Sequence, residues 1–258
     1  MIAFEMLVEC RHVKIYRWVG RPRHYDDKRG RLSYLEQIKR GERYFMKSQD
    51  IILETLLVGP LDVNCYIIGS KKERTAMVID AGGNEEDILQ CLKKHNLTLQ
   101  YLLNTHAHFD HVGSVKHLQD KTGAKFLIHQ EEMALLSSLT NQTKTFGMPS
   151  FPTPNVDKFL TDNEEIAIGA EKLRVIHTPG HSPGCVCFLI NDIVFTGDTL
   201  FAGSIGRTDL YGGSYEGLIT SIKKRLFILG DQVVVYPGHG PSTTIGEERQ
   251  HNPFFKHE

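Results

Sequence analysis

Within six residues, His106-Ala107-His108-Phe109-Asp110-His111 gathers three histidines and an aspartate. Imidazole and carboxylate groups are the usual ligands of zinc and its neighbours. No other run constrains the fold as much, because four side chains must converge where an element ends. In an extended segment alternate side chains share a side, so His106 and His108 can face one ion while Ala107 and Phe109 face away. Asp110 and His111 then need a turn or a helix start to reach a neighbouring position. A metal accounts for such a run better than a histidine-rich surface loop does.

Three later segments add one ligand each. Thr178-Pro179-Gly180-His181-Ser182-Pro183-Gly184 sets a histidine between two Pro/Gly turns after a predicted strand. Thr196-Gly197-Asp198-Thr199 puts an aspartate at a strand end, and Tyr236-Pro237-Gly238-His239-Gly240 puts a histidine at another. Each alone is an ordinary loop residue. With the first run they supply seven ligands, enough for two metals sharing one carboxylate. His129 and His177 have no such company and are expected to be surface or satisfied core residues.

The surrounding pattern is of strands followed by helices, twice over. Strands are predicted at 51–58, 64–69, 75–80, 100–105, 125–128, 165–168, 172–177, 185–190, 193–196 and 233–236, from short β-branched or apolar runs between turn signals. Helices are predicted at 85–95, 114–121, 130–139 and 215–229, the last with Leu218, Ile219, Ile222, Leu226 and Leu229 on one face and Lys223, Lys224 and Arg225 on the other. Residues 140–157, rich in Thr, Pro, Asn and Gly, read as a long surface loop, and residues 246–258 as one short helix or a tail. Such an order suggests sheets packed on each other with helices outside.

The segments Thr105–His111, His181–Gly184, Gly197–Phe201 and Pro237–Gly240 together resemble the metallo-β-lactamase superfamily. The glyoxalase II (hydroxyacylglutathione hydrolase) branch is the nearest match, and Leu200–Asp209 looks like its compact prokaryotic hydrolases. The likeness covers residues 51–258 and leaves 1–50 as an N-terminal extension of unassigned role. It implies an α/β fold, an αββα four-layer sandwich with the metals at one end between the sheets. It also implies two divalent ions, zinc first, with iron or manganese as alternatives. One ion would take His106, His108 and His181, the other Asp110, His111 and His239, with Asp198 bridging. True β-lactamases usually carry Cys or Ser where this chain has Asp198, which argues against antibiotic hydrolysis.

The chemistry expected is hydrolysis of an S-acylglutathione-type thioester, such as S-lactoylglutathione, by a metal-bound hydroxide. A metal lowers the pKa of bound water from about 15.7 to about 7, and a thiol of pKa about 8.5 leaves with little help from an acid. Asp110 is the candidate to orient the hydroxide and hold its proton. Arg207 is the candidate substrate residue, as an anion anchor, or else it braces the metal-bearing loop through carbonyls. Tyr211 and Tyr215 are expected to pack ordinarily. Only nineteen residues follow His239, too few for the helical C-terminal domain that helps hold glutathione in the full-length enzymes. That role would fall to residues 140–157, to Arg207–Tyr215 or to a partner subunit. The competing readings are a persulfide dioxygenase with one iron on His106, His181 and Asp198, and another hydrolase of the superfamily acting on lactones or phosphodiesters. A non-catalytic binding protein fits an intact ligand set poorly.

Composition narrows the partners. Thirty Lys+Arg against thirty-one Asp+Glu leave a net charge of -1. Residues 1–50 hold twelve basic and seven acidic residues, and the remainder eighteen and twenty-four. The negative main part disfavours a nucleic-acid groove, and the asymmetry marks a boundary near residue 50. No stretch reaches the roughly 18–20 apolar residues of a membrane span. Five cysteines, an odd number without a C-x-x-C pair, suit a reduced, cytoplasmic protein. Glu5 and Glu9 interrupt what would be the apolar core of a signal peptide.

Overall fold

The computed structural model describes residues 50–256 and, before them, the backbone of β1 (Phe4–Met6) and β2 (Tyr16–Trp18), which pair antiparallel. The chain divides into two units, Met1–Ser33 and Tyr34–Glu258. Apart from β1 and β2, the N-terminal extension up to residue 49, with Cys10, lies outside the described residues.

In the second unit β3 (Ile51–Val58), β4 (Val63–Ser70), β5 (Thr75–Ile79), β6 (Thr98–Leu103), β7 (Lys125–His129) and β8 (Lys158–Leu160) form one sheet in that order. The first three are antiparallel, and pairing is parallel from β5 to β8. A second sheet holds β9 (Glu165–Ile168), β10 (Glu171–His177), β11 (Val186–Ile190) and β12 (Ile193–Gly197). Next come β13 (Leu200–Phe201) and β14 (Ser204–Ile205), a small separate ribbon. The second sheet is completed by β15 (Val234–Pro237), parallel to β12, and β16 (Thr243–Thr244).

Alternation within the strands builds the layers. In β4, Tyr66 and Ile68 face the second sheet, meeting Phe188, Phe195 and Tyr236, while Val63, Cys65 and Ile67 face outward. The outward side is covered by the helices Glu85–Lys94 and Val115–Thr122 through Ile88, Leu92, Val115 and Leu118. Cys187, Val194 and Val235 of the second sheet are covered by Leu218, Ile222 and Leu226 of the segment 215–226 and by Ile245 of the helix Ile245–His251. Helices, sheet, sheet and helices make the expected four layers. Every residue of β4 is buried, as a strand covered on both faces requires, and its sequence is a nearly continuous apolar run for the same reason.

Three expectations need correction. Residues 139–145 are a helix rather than the start of a loop, held by Leu139 in the core and by Gln142, whose amide bonds the backbone of Ala107, Phe109 and Leu135. The helix predicted at 130–139 is broken into a 3-10 turn at Gln130–Glu132 and an α-helix at Met133–Ser137. The helix from Tyr215 changes at Ile222–Leu226 to π bonding, with Phe227 N–H donating to the Ile222 carbonyl at 2.9 Å. β8 and β16 are strands without a counterpart in the prediction.

Candidate metal centre

The ends of β6, β10, β12 and β15 deliver the seven expected residues to one place. β6 stops at Leu103, and Asn104–His108 continue in irregular backbone before a short helix, Phe109–Val112, turns Asp110 and His111 back. Asn104 pins this loop by donating its amide to the His111 carbonyl at 2.8 Å. The two sheets are tied together at this end. Val186 N–H donates to the Thr105 carbonyl at 2.9 Å and Asn64 N–H to the Gly238 carbonyl at 2.8 Å.

Two glycines let the later segments approach. Gly180 has φ of +144°, and a Cβ on it would lie 2.3 Å from the backbone of Leu218. Gly238 passes so near the centre that a Cβ would lie 2.3 Å from Asp198 Oδ1 and 2.8 Å from His111 Cε1.

His106, His108 and His181 bring donor atoms within 4.8 Å of one another, as do Asp110, His111 and His239, and as do His106, His111 and Asp198. Asp198 stands between the groups. Its Oδ1 is 3.4 Å from His111 Nε2, and its Oδ2 is 3.7 Å from His181 Nε2 and 3.9 Å from His239 Nε2. Asp110 Oδ2 is 3.3 Å from His239 Nε2 and 3.6 Å from His111 Nε2. Metal–ligand bonds of about 2.0–2.1 Å in a tetrahedron separate ligand atoms by roughly 3.3 Å, so these gaps are of the size an ion spans. His108 Nδ1 and His181 Nε2 are closer, at 2.9 Å.

The far sides of the rings fix which nitrogen is offered. His181 Nδ1 donates to the Arg207 carbonyl at 2.7 Å, and His239 Nδ1 to the Leu61 carbonyl at 3.1 Å. Asp80, buried at the end of β5, accepts from Thr105 N–H at 2.8 Å, from Thr105 Oγ1 at 2.7 Å and from His111 Nδ1 at 3.0 Å. The Thr105 hydroxyl, having given its proton to Asp80, accepts from His106 Nδ1 at 3.0 Å. One carboxylate therefore holds the Nδ1 protons of two histidines and turns both Nε2 atoms toward the centre. Among the described residues, the buried side-chain polar atoms without a hydrogen-bond partner are His106 Nε2, His108 Nε2, His111 Nε2, Asp198 Oδ1 and Asn104 Oδ1. Buried polar atoms are normally paired, and four of these five belong to the expected ligands. The donor set fits metal ions.

Protonation follows from the same packing. Burial, with the neighbouring histidines, pushes His106 well below the usual range and His108 down to about 4. Burial also opposes charge on His111, but Asp110, Asp198 and Asp80 outweigh it and raise it to about 10. Burial likewise works against the Asp110 carboxylate, and His111 and His239 overcome it, holding Asp110 below the usual carboxylate range.

Sequence reasoning passed over Asp80 and Glu132. Glu132 is fully buried: its Oε1 accepts from Ser182 Oγ at 2.6 Å and Gly184 N–H at 2.7 Å, and its Oε2 from Ala107 N–H at 2.8 Å. It clamps the His106–His108 loop to the His181 loop. Asp80 had a signal, an acid ending an apolar strand just before Gly82-Gly83. Glu132, in a predicted helix, had none.

Arg207 lines the cleft over the centre, but its guanidinium forms a bidentate pair with Asp209, both contacts 2.8 Å. Its carbonyl, by contrast, holds His181. Tyr211 and Tyr215 are 66% and 53% exposed rather than packed. His129 and His177 are partly buried and do have company: their rings stack at 4.3 Å, and His177 Nε2 donates to the Pro183 carbonyl at 3.0 Å. The described cysteines Cys65, Cys91, Cys185 and Cys187 are free and buried, and no described helix is long and apolar enough to cross a membrane.

The sequence profile of the metallo-beta-lactamase superfamily matches residues 58–239. Hydroxyacylglutathione hydrolase GloC of Haemophilus influenzae is 38% identical over 211 residues, covering 78% of this chain and 97% of that protein. Among solved structures, the BLEG-1 B3 metallo-beta-lactamase is similar with a TM-score of 0.74 at 37% identity, covering 80% of this chain and all (100%) of that one. TTHA1623, solved in a di-iron-bound form, is similar with a TM-score of 0.71 at 35% identity, covering 78% and 99%. On this profile, this fold and these relatives, the chain belongs to the metallo-beta-lactamase superfamily.

Proposed function

We propose that this chain is a metal-dependent hydrolase that cleaves a thioester of the S-acylglutathione type. The observation that carries the reading is the position of Asp198, one carboxylate reaching both groups of ligand residues. His106, His108 and His181 would hold one ion and Asp110, His111 and His239 the other, with Asp198 shared. Zinc is the first choice, and the di-iron form of TTHA1623 keeps iron in view. Bound divalent ions supply a lowered water pKa and polarise a carbonyl.

The chain's own groups do the rest. Asp110, held ionised beside His111 and His239, would orient the attacking water and take its proton. The water oxygen bonds to the thioester carbon, the C–S bond breaks, and the proton passes to the departing thiolate, giving a carboxylic acid and a thiol. Arg207 serves through its carbonyl, which orients His181, more than as an anion anchor, since Asp209 already neutralises it. The name of the H. influenzae relative supports the substrate class, and the four free thiols suit a reducing cytoplasm.

The test is thiol release from S-lactoylglutathione by protein whose metal content has been measured. Release that stops on chelation and returns with zinc is the expected result. Fully metallated protein that leaves the thioester intact overturns the reading. One iron per chain with oxygen uptake on glutathione persulfide would establish the dioxygenase instead.

A further inference from the structure

A cleft of about 540 Å³ opens onto His108, Asp110, His181 and Asp198. Its size lies in the range that encloses a drug-sized molecule, roughly 300–1,000 Å³, and far exceeds what a three-carbon lactoyl group fills. Its apolar lining includes Phe109, Leu135 and Leu210, which are more buried, and Leu61, Phe146 and Tyr211, which are 47%, 52% and 66% exposed. Large apolar side chains left this open around a pocket mark a surface that a ligand covers.

The polar residues of the wall face their own backbone. Ser138 Oγ donates to the Leu135 carbonyl at 2.8 Å, and Thr145 Oγ1 to the Asn141 carbonyl at 2.9 Å. The Gln142 amide spans Phe109 N–H and the Leu135 carbonyl. Among the described residues, and histidines aside, the one basic side chain in the lining is Arg207, which pairs with Asp209 at the surface. A glutathione arm, with two carboxylates and an ammonium, meets one basic side chain in the described lining, already paired, and extends to solvent, where the departing thiol is also released.

We infer that the cleft receives the acyl arm of the thioester, and that this arm is an apolar chain of medium length rather than a small hydroxyacyl group. The inference rests on the thioesterase reading and narrows it. Each methylene buried is worth about a fourfold gain in kcat/KM, from ~0.8 kcal/mol per CH₂.

The experiment uses the full chain loaded with zinc and a series of acetyl, butanoyl and hexanoyl thioesters, each made on N-acetylcysteamine and on glutathione. Expected is a rise of roughly fourfold per methylene, about 100-fold or more from acetyl to hexanoyl, with the two thiols within about threefold of each other and hexanoyl thioesters ahead of S-lactoylglutathione. A flat or falling series overturns the inference, as does S-lactoylglutathione ahead of the hexanoyl thioesters, or a preference for glutathione above about thirtyfold. Hydrolysis of no thioester at all overturns the thioesterase reading and this inference with it.

Two further measurements locate the site. Phe146→Asp, on a half-exposed rim position, is expected to cut the chain-length slope by at least half, and an unchanged slope refutes the placement. Calorimetry on metal-free protein, which needs no turnover, should show S-hexylglutathione binding at least tenfold more tightly than S-methylglutathione. Equal binding refutes it.

Discussion

Replacing Asp80 by Asn removes no atom from the metal centre, yet it reverses the polarity of the network behind it. The Asp80 carboxylate takes protons from Thr105 N–H, the Thr105 hydroxyl and His111 Nδ1. An asparagine can keep the first of these through its carbonyl oxygen. Its NH₂ then points at the Thr105 hydroxyl and at His111 Nδ1, where acceptors are needed. The hydroxyl turns to donate to His106 Nδ1, 3.0 Å away, and both imidazoles are driven to carry their proton on Nε2. Those are the two atoms that would bind metal. Loss of a partner behind a metal ligand typically costs 10–100-fold in affinity, and two histidines are affected, so zinc affinity should fall by about 100-fold or more. The fold itself should lose only about 1.5–3 kcal/mol, the worth of a hydrogen bond to a charged group. Competition against a chromophoric zinc chelator measures the first quantity and urea unfolding of the metal-free protein the second. Asp80→Asn protein that binds two zinc ions with unaltered affinity would refute the argument that Asp80 sets the tautomers.

Glu132→Ala strands the backbone N–H groups of Ala107 and Gly184 in a buried site, while the Ser182 hydroxyl keeps Cys185 Sγ at 2.9 Å. At about 1–3 kcal/mol per orphaned group, the variant should lose about 3–5 kcal/mol in urea unfolding, and a loss below 1 kcal/mol would show that the clamp is not needed. Metal uptake should also release protons. In the metal-free protein His111 is raised to about 10, so at pH 7 it is charged, while a ligand imidazole must be neutral. Calorimetric titration with zinc in buffers of different ionisation enthalpy should find about one proton released from His111 at pH 7 and affinity climbing between pH 6 and 9; pH-independent binding would contradict the raised value.

The ligand residues were legible because four crowd into His106–His111 and the other three stand at strand ends beside Pro or Gly residues. The apolar runs of β4 and β11 between turn signals likewise gave away the layered sheets. The helix at Leu139–Thr145 was not legible. Its sequence, Leu-Thr-Asn-Gln-Thr-Lys-Thr, is poor in strong helix formers, and its order comes from Gln142 bonding a loop more than thirty residues earlier. β8, three residues long, is too short for alternation to register. Glu132 shows the same limit: an acid in a helical stretch reads as solvent-facing until the loop carrying Ser182 closes over it. Arg207 was singled out for its charge, whereas its carbonyl makes the contact to His181, and backbone roles leave no mark on residue type.

Anomalous scattering at the zinc edge, from crystals of zinc-loaded protein, tests the centre most directly. The account predicts two peaks, one among His106, His108 and His181 and one among Asp110, His111 and His239, each in contact with Asp198. A single peak, or peaks at another cluster such as His129, Glu131 and His177, would contradict it.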